Sequence, residues 1–444
     1  MAAMGLLGIG LGIATLILMA FRGVGMVPTT IVASLVVIAF NGMDLWGTFL
    51  DGYGATTANY VATYLVLFFL GTLFGELLSK SNAAKSIALQ VLRIPLKRKA
   101  LLVVVLAAAI LSYGGVNLFV TVFSIYPIAL VLFKQEDLPK RLFPAALFLG
   151  CATFTMVSLP GTPAIQNLIP AETFGTTAYA APVMGIICSL VMAALGMLWL
   201  RYSQNRLAAK GVGFVPGSRD DLGKIDISDR SDVPNFFLSI LPIALVVGMI
   251  FGLNHLMDTI FVVNIALAAG VLLTSLIFWP TLRREYTERL NTAGHDGLVA
   301  LMNTAVVVGF GGVVAASVGF DTIVDWTMSL DMNPLISGAI AVGVVSAATG
   351  SASGGLQVFS DSLGSQYVDL ARADGISLDA MHRVLAMSAA GLDSMPYSGG
   401  YITAITYTQL THRESYGYFF VTNIVITSIG ALVGIFLYLV LGIA

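Results

Sequence analysis

The sequence predicts an all-α polytopic membrane protein built as two inverted repeats, each with five transmembrane spans, a re-entrant hairpin and one broken helix. Three observations predict it. The 444 residues are 57% hydrophobic and only 10% charged, too few charges to cover a soluble domain. Two polar, Gly- or Pro-broken motifs occur twice in the same order. Gly114-Gly115-Val116-Asn117-Leu118-Phe119 returns as Gly354-Gly355-Leu356-Gln357-Val358-Phe359, and Ser158-Leu159-Pro160-Gly161-Thr162 returns as Ser394-Met395-Pro396-Tyr397-Ser398. Finally, the basic residues fall almost entirely on one side of the resulting span layout.

The hydrophobic pattern places spans near 4–21, 28–42, 60–79, 142–174, 181–200, 236–253, 259–279, 298–318, 377–408 and 416–443. Between Lys99 and Lys134, and between Arg141 and Glu172, no residue is charged. Pro160 and Pro396 break the runs 142–174 and 377–408. The runs 99–133 and 334–366 are interrupted near the middle by glycine pairs. Each half then has roughly 15 residues, about 22 Å of helix, too short to span alone. Two half-helices meeting at a glycine tip predict a re-entrant hairpin, tolerated at that depth only inside protein or beside a wet cavity. Segment Ala83–Ile94 sets Ile87, Leu89 and Val91 beside Lys85, Gln90 and Arg93, and predicts an interfacial helix. Gly5, Gly8, Gly10 and Gly12 suit close helix packing, because no strand precedes them as a nucleotide loop requires. The first apolar run has no basic residue ahead of it and is read as a span, not a signal peptide.

The positive-inside rule tests this layout. With the N-terminus outside and both hairpins re-entrant, 20 of the 22 Lys and Arg residues are cytoplasmic. Only Arg372 and Arg383 fall outside. Making either hairpin a full span would flip everything downstream and break the bias. Five spans per half is an odd number, so the halves are inverted and both termini lie outside the plasma (inner) membrane. Residues 1–200 form the first repeat, with its hairpin at 99–133. Residues 236–444 form the second, with its hairpin at 334–366. A solvated cytoplasmic linker, 201–235, joins them.

Breaks duplicated within a membrane point to a binding site. The half-helix after each tip turns free N–H groups and the positive end of its dipole inward. Glycine lets the chain reverse, and proline frees a carbonyl. The candidate substrate site therefore combines Ser112, Gly114, Gly115, Asn117, Pro160 and Thr162 with Ser351, Ser353, Gly354, Gly355, Gln357, Ser394, Pro396 and Ser398. Such a site suits a small anion held by N–H and O–H donors, since no Arg or Lys is expected at mid-membrane. Asp393 and Asp361 are the candidate proton carriers. A charge there costs about 2.5–3.5 kcal/mol unless it is protonated, paired or wet. His382 and Arg383 are expected at the outer mouth of the ninth span. Cys151 and Cys188 read as small core residues, and no metal-ligand spacing appears.

Residues 112–170 resemble the gluconate permease (GntP) family of the ion transporter superfamily. The likeness is carried by Tyr113-Gly114-Gly115-Val116-Asn117-Leu118-Phe119, Tyr126-Pro127, Pro139-Lys140-Arg141-Leu142 and Leu159-Pro160-Gly161-Thr162-Pro163-Ala164-Ile165-Gln166-Asn167. It implies an organic-anion:proton symporter working as a homodimeric elevator. The expected function is therefore secondary transport of a small (hydroxy)carboxylate across a lipid membrane with protons, and without nucleic acid, metal or other cofactor. Sodium coupling on the same fold and a passive anion channel are the rivals. An enzyme is not expected, because no nucleophile–base pair or metal pair is spaced for catalysis.

Overall fold

Long uncharged runs give the backbone no water to bond, so helix is the local solution. The computed structural model describes residues 2–22, 24–91, 100–116, 118–217, 220, 233–253, 256–257, 259–329, 332–396 and 398–444. No strand occurs among them.

The first half begins with α1 (Ala2–Phe21) and α2 (Met26–Asn41). A long α3 (Leu45–Lys80) follows, then the short α4 (Ala83–Val91). Next come α5 (Ala100–Tyr113) and α6 (Leu118–Gln135). The half closes with α7 (Lys140–Val157), α8 (Ile165–Phe174) and α9 (Pro182–Ala209). The second half begins with α10 (Phe236–Leu253), α11 (Thr259–Ile277), α12 (Tyr286–Ala315) and α13 (Val318–Ser329). It continues with α14 (Pro334–Thr349), α15 (Ala352–Phe359) and α16 (Ser365–Ala373), the last two joined by a π-helical turn at Ser360–Gly364. It ends with α17 (Leu378–Leu392), α18 (Gly399–Thr408) and α19 (His412–Leu441). Six helices among the described residues are long and apolar enough to cross a membrane.

Packing partners in one half have counterparts in the other. The pair α1/α2 matches α10/α11, and α2/α12 matches α11/α3. Likewise α1/α13 matches α10/α4, and α5/α7 matches α14/α17. The two long helices α3 and α12 pack on each other between the halves.

Three expectations need correction. First, α12 starts at Tyr286, twelve residues before 298. Arg289 bonds Glu285 at 2.7 Å and approaches Glu76 at 3.7 Å, so the charged turn is held as helix against the end of α3. Second, the glycine pairs are not equivalent. Gly115, at φ +86°, turns the first hairpin. The second turns four residues earlier than its glycine pair, at Gly350 with φ +63°. Gly354 and Gly355 lie inside α15, and Gly355 is required by close approach: a Cβ there would sit 2.5 Å from Ser346 Cα.

Third, the linker is not simply solvated. α9 runs on to Ala209. Beyond it, Asp220 receives Lys140 Nζ at 2.5 Å, Tyr126 Oη at 2.8 Å and Gly217 N at 2.6 Å. Lys140 also donates to the Thr408 carbonyl at 3.1 Å. This clamp ties the linker to α6, α7 and α18. Burial opposes the Asp220 charge, but the bonds from Lys140, Gly217 and Tyr126 outweigh it and hold the carboxyl below its ordinary range. A depressed carboxyl contributes stability above its unfolded pKa and loses it as pH falls through its folded value. Thermal unfolding in detergent is therefore expected to weaken on acidification below about pH 4. Asp220→Asn is expected to lower the neutral-pH transition and to flatten that acid dependence.

Candidate functional site

Where helices break inside the protein, side chains take up the freed carbonyls. Tyr113 Oη donates to the Pro160 carbonyl at 2.9 Å, and His412 Nε2 to the Pro396 carbonyl at 2.7 Å. Asn167 Nδ2 donates to the carbonyls of Thr162 and Ala178, each at 2.9 Å. Arg383 does most. Its Nε and Nη2 reach the Ala180 carbonyl at 3.2 and 2.7 Å. Nη2 also reaches the Ala178 carbonyl at 3.3 Å, and Nη1 reaches Asn167 Oδ1 at 2.9 Å.

Arg383 and His382 are thus fully buried, not at an outer mouth. Both face α8, and residues 176–181 fold over them. His382 Nε2 donates to the same Asn167 Oδ1 at 2.8 Å. A cation therefore does lie in the interior, but carbonyl and amide oxygens occupy it.

With the breaks fixed in this way, four helix starts converge on one cavity of about 250 Å³. They are Val116 and Leu118 at α6, Ala164–Gln166 at α8, Ser351–Ser353 at α15, and Ser398–Gly400 at α18. The cavity lies near the middle of α3, at Leu67, Phe68 and Gly71, and of α12, at Asn303, Thr304 and Val307. Ala164 gives α8 no side-chain cap. Ser351 caps α15 by accepting from Gly354 N at 3.2 Å. Among the described residues, Asp393 is the one carboxyl on the wall. Its Oδ2 accepts from Ala352 N at 3.1 Å, at the start of α15, and its Oδ1 accepts from Ser394 Oγ at 2.7 Å. A carboxyl group thus already sits on one of the positive helix ends.

Of the expected site residues, Ser112, Gly115, Ser351, Ser353, Ser394, Ser398 and Asp393 line this cavity. Ser112 donates to the Cys151 carbonyl at 2.9 Å, which commits its hydrogen to α7. Gly114, Pro160, Thr162, Gly354, Gly355 and Pro396 are not among the residues that line it. Gln357 and Asp361 face a different cavity, bonded to each other at 3.0 Å. Asn117 lies outside the described residues. Gln166, Asn303 and Thr304 also line the cavity but were not anticipated. The signal for the last two was a polar pair in the middle of an apolar span.

The GntP family permease profile matches residues 4–440. The chain belongs to the GntP permease family. This permease is 34% identical over 402 residues to YxjC, an uncharacterized transporter of Bacillus subtilis (strain 168). That match covers 84% of this chain and 85% of the relative. It is 25% identical over 331 residues to an uncharacterized transporter of Haemophilus influenzae, covering 74% and 73%. In fold it is similar to the YdaH transporter of Alcanivorax borkumensis, whose crystal structure is described as having an unusual topology. There the TM-score is 0.53 at 15% identity, over 96% of this chain and 98% of that one. The GntP permease is a multi-pass membrane protein and a secondary transporter, not an enzyme, and transport by this family needs no cofactor.

Removing Arg383 would strip the Ala180 carbonyl of its donor, at about 1–3 kcal/mol for a buried group, and would leave the Ala178 carbonyl to Gly161 N and Asn167 Nδ2 and Asn167 Oδ1 to His382 alone. Arg383→Met is expected to lose about 3 kcal/mol or more of stability, read by thermal unfolding in detergent. Arg383→Lys is expected to recover less than half of that loss, because an ammonium cannot span the same acceptors.

Proposed function

We propose that this permease moves a small organic (hydroxy)carboxylate into the cell together with protons. The convergence of four helix starts on a cavity whose single carboxyl caps one of them carries this reading. Helix N-termini and hydroxyls suit a carboxylate, and further hydroxyls on the substrate find Ser351, Ser353, Ser394, Ser398, Gln166, Asn303 and Thr304. Two negative charges do not share one peptide N–H. A substrate carboxylate reaches the start of α15 when Asp393 carries a proton, so anion and proton load together. Ser112, Gly114, Gly115, Pro160, Thr162, Gly354, Gly355 and Pro396 hold that geometry.

The same reading covers the architecture. The matched packing pairs support two repeats, 1–200 and 236–444, joined by the linker, and the bias of basic residues supports their inversion with both termini outside. The hairpin-and-break elements would then travel against the α3/α12 frame as an elevator, within a homodimer in the plasma membrane.

The test is uptake of labelled gluconate, 3-hydroxybutyrate and citrate into proteoliposomes under an imposed proton gradient. Accumulation is expected for at least one acid, and collapse of the gradient is expected to abolish it. Asp393→Asn is expected to cut gradient-driven accumulation about tenfold or more while keeping gradient-free exchange. Accumulation driven by a sodium jump at fixed pH would make sodium the coupling ion. Downhill flux without concentration would make the protein a channel.

A further inference from the structure

A second cavity, of about 260 Å³, lies along α3 outward of the central one, toward the end of the helix opposite Lys80. Every residue lining it is polar. Glu172 and Asp361 are exposed at its mouth, and Tyr64, Gln357 and Tyr60 lie deeper. Asp361 also borders an adjoining cavity that contains Asp51. Among the described residues, no basic residue lines either space. The sign of the charge decides what enters. Carboxylates at the mouth repel an anionic substrate and gather protons or cations. No cluster of three metal-ligating side chains occurs among the described residues, which argues against a divalent ion.

The floor of this space is Tyr60. Its side chain is 2% exposed, and its hydroxyl completes no hydrogen bond. It lies beside Ser353. A buried unpaired hydroxyl costs about 1–3 kcal/mol; this one is closed off within the wall, while the Tyr60 side chain lines a polar space with room for water. Ser353 Oγ is 3.3 Å from Ser351 Oγ, and both serines line the central cavity with Asp393. Tyr60 is therefore a polar partition between the two cavities. On the mouth side, Tyr64 Oη donates to Gln357 Oε1 at 3.5 Å, and Gln357 Nε2 to Asp361 Oδ1 at 3.0 Å. The charged groups that face Tyr64 are Glu172 and Asp361.

We propose that this acidic vestibule is the proton's own access route to the central site, separate from the path of the carboxylate. Asp361 and Glu172 collect protons, water carries them to Tyr60, and Tyr60 passes them through Ser353 to Asp393. The transfer balances. Tyr60 accepts a proton on its oxygen and gives its own to Ser353. Ser353 does the same, both end neutral as they began, and the Asp393 carboxylate becomes the acid.

This inference rests on the proton-coupled reading of Asp393. The test uses full-length protein in proteoliposomes and whichever of gluconate, 3-hydroxybutyrate and citrate the wild type accumulates best. Tyr60→Phe is expected to cut proton-driven accumulation about tenfold and to keep gradient-free exchange within about twofold. The double variant Asp361→Asn, Glu172→Gln changes only exposed groups and is expected to move the same two readouts the same way. A gradient-dependent wild type with normal accumulation by Tyr60→Phe overturns this inference alone. So does equal loss of accumulation and exchange, which would make Tyr60 part of the substrate path or the packing. A wild type indifferent to the proton gradient overturns the coupling reading, and this inference with it.

Discussion

A chain that breaks its helices inside an apolar interior must satisfy the peptide groups it frees, and the rest of this structure depends on how it does so. The heaviest share falls to Arg383. One guanidinium on α17, in the second half, takes up the first-half carbonyls of Ala178 and Ala180 and, with its neighbour His382, shares the first-half Asn167. The planar fork can reach several acceptors in fixed directions, which an ammonium cannot. No carboxylate among the described residues forms a salt bridge with it, and the guanidinium bonds peptide and amide oxygens instead. That keeps α17 and the first-half break in one geometry, and it leaves the neighbouring cavity with peptide N–H groups and no committed cation of its own.

The anion site we propose is therefore built from backbone. Each helix start contributes a partial positive charge that falls off within a turn, so the effect depends on bringing several to one place. Gly115 and Gly350 reverse the chain at the two hairpin tips, and the two proline breaks begin new helices at Ile165 and Gly399. Asp393 already accepts from the α15 start. In the mechanism we propose, a carboxyl in that position turns substrate binding and proton binding into one event, because the negative charge must leave one group before another can take its place. The proposed vestibule at Tyr60 then gives the proton a route that the substrate's own charge forbids it to share.

Much of this was legible in the sequence. The runs without charge located nearly every helix, the proline breaks fell at 158–164 and 393–398, and Asp393 stood out as a carboxyl beside a break. What misled was equivalence by letter. Gly354-Gly355 looks like Gly114-Gly115, yet one pair admits a close crossing over Ser346 while the other makes a turn. Gln357 was displaced with it, into the vestibule. Arg383 was misplaced because counting residues from a helix end cannot show that residues 176–181 fold over it. Asn303 and Thr304 were overlooked because an unbroken span draws no attention, although polar side chains at its centre need partners as much as those beside a break.

The central claim is that carboxylate and proton bind as a pair, with Asp393 giving up its place on α15 by taking the proton. The most direct measurement is proton exchange on substrate binding. Purified permease in detergent, at neutral pH in weakly buffered solution, is titrated with the transported carboxylate while a pH indicator reports protons taken up. The account predicts net proton uptake on carboxylate binding, diminishing as the medium is acidified and Asp393 is already protonated. Carboxylate binding with no proton uptake across that range would contradict it.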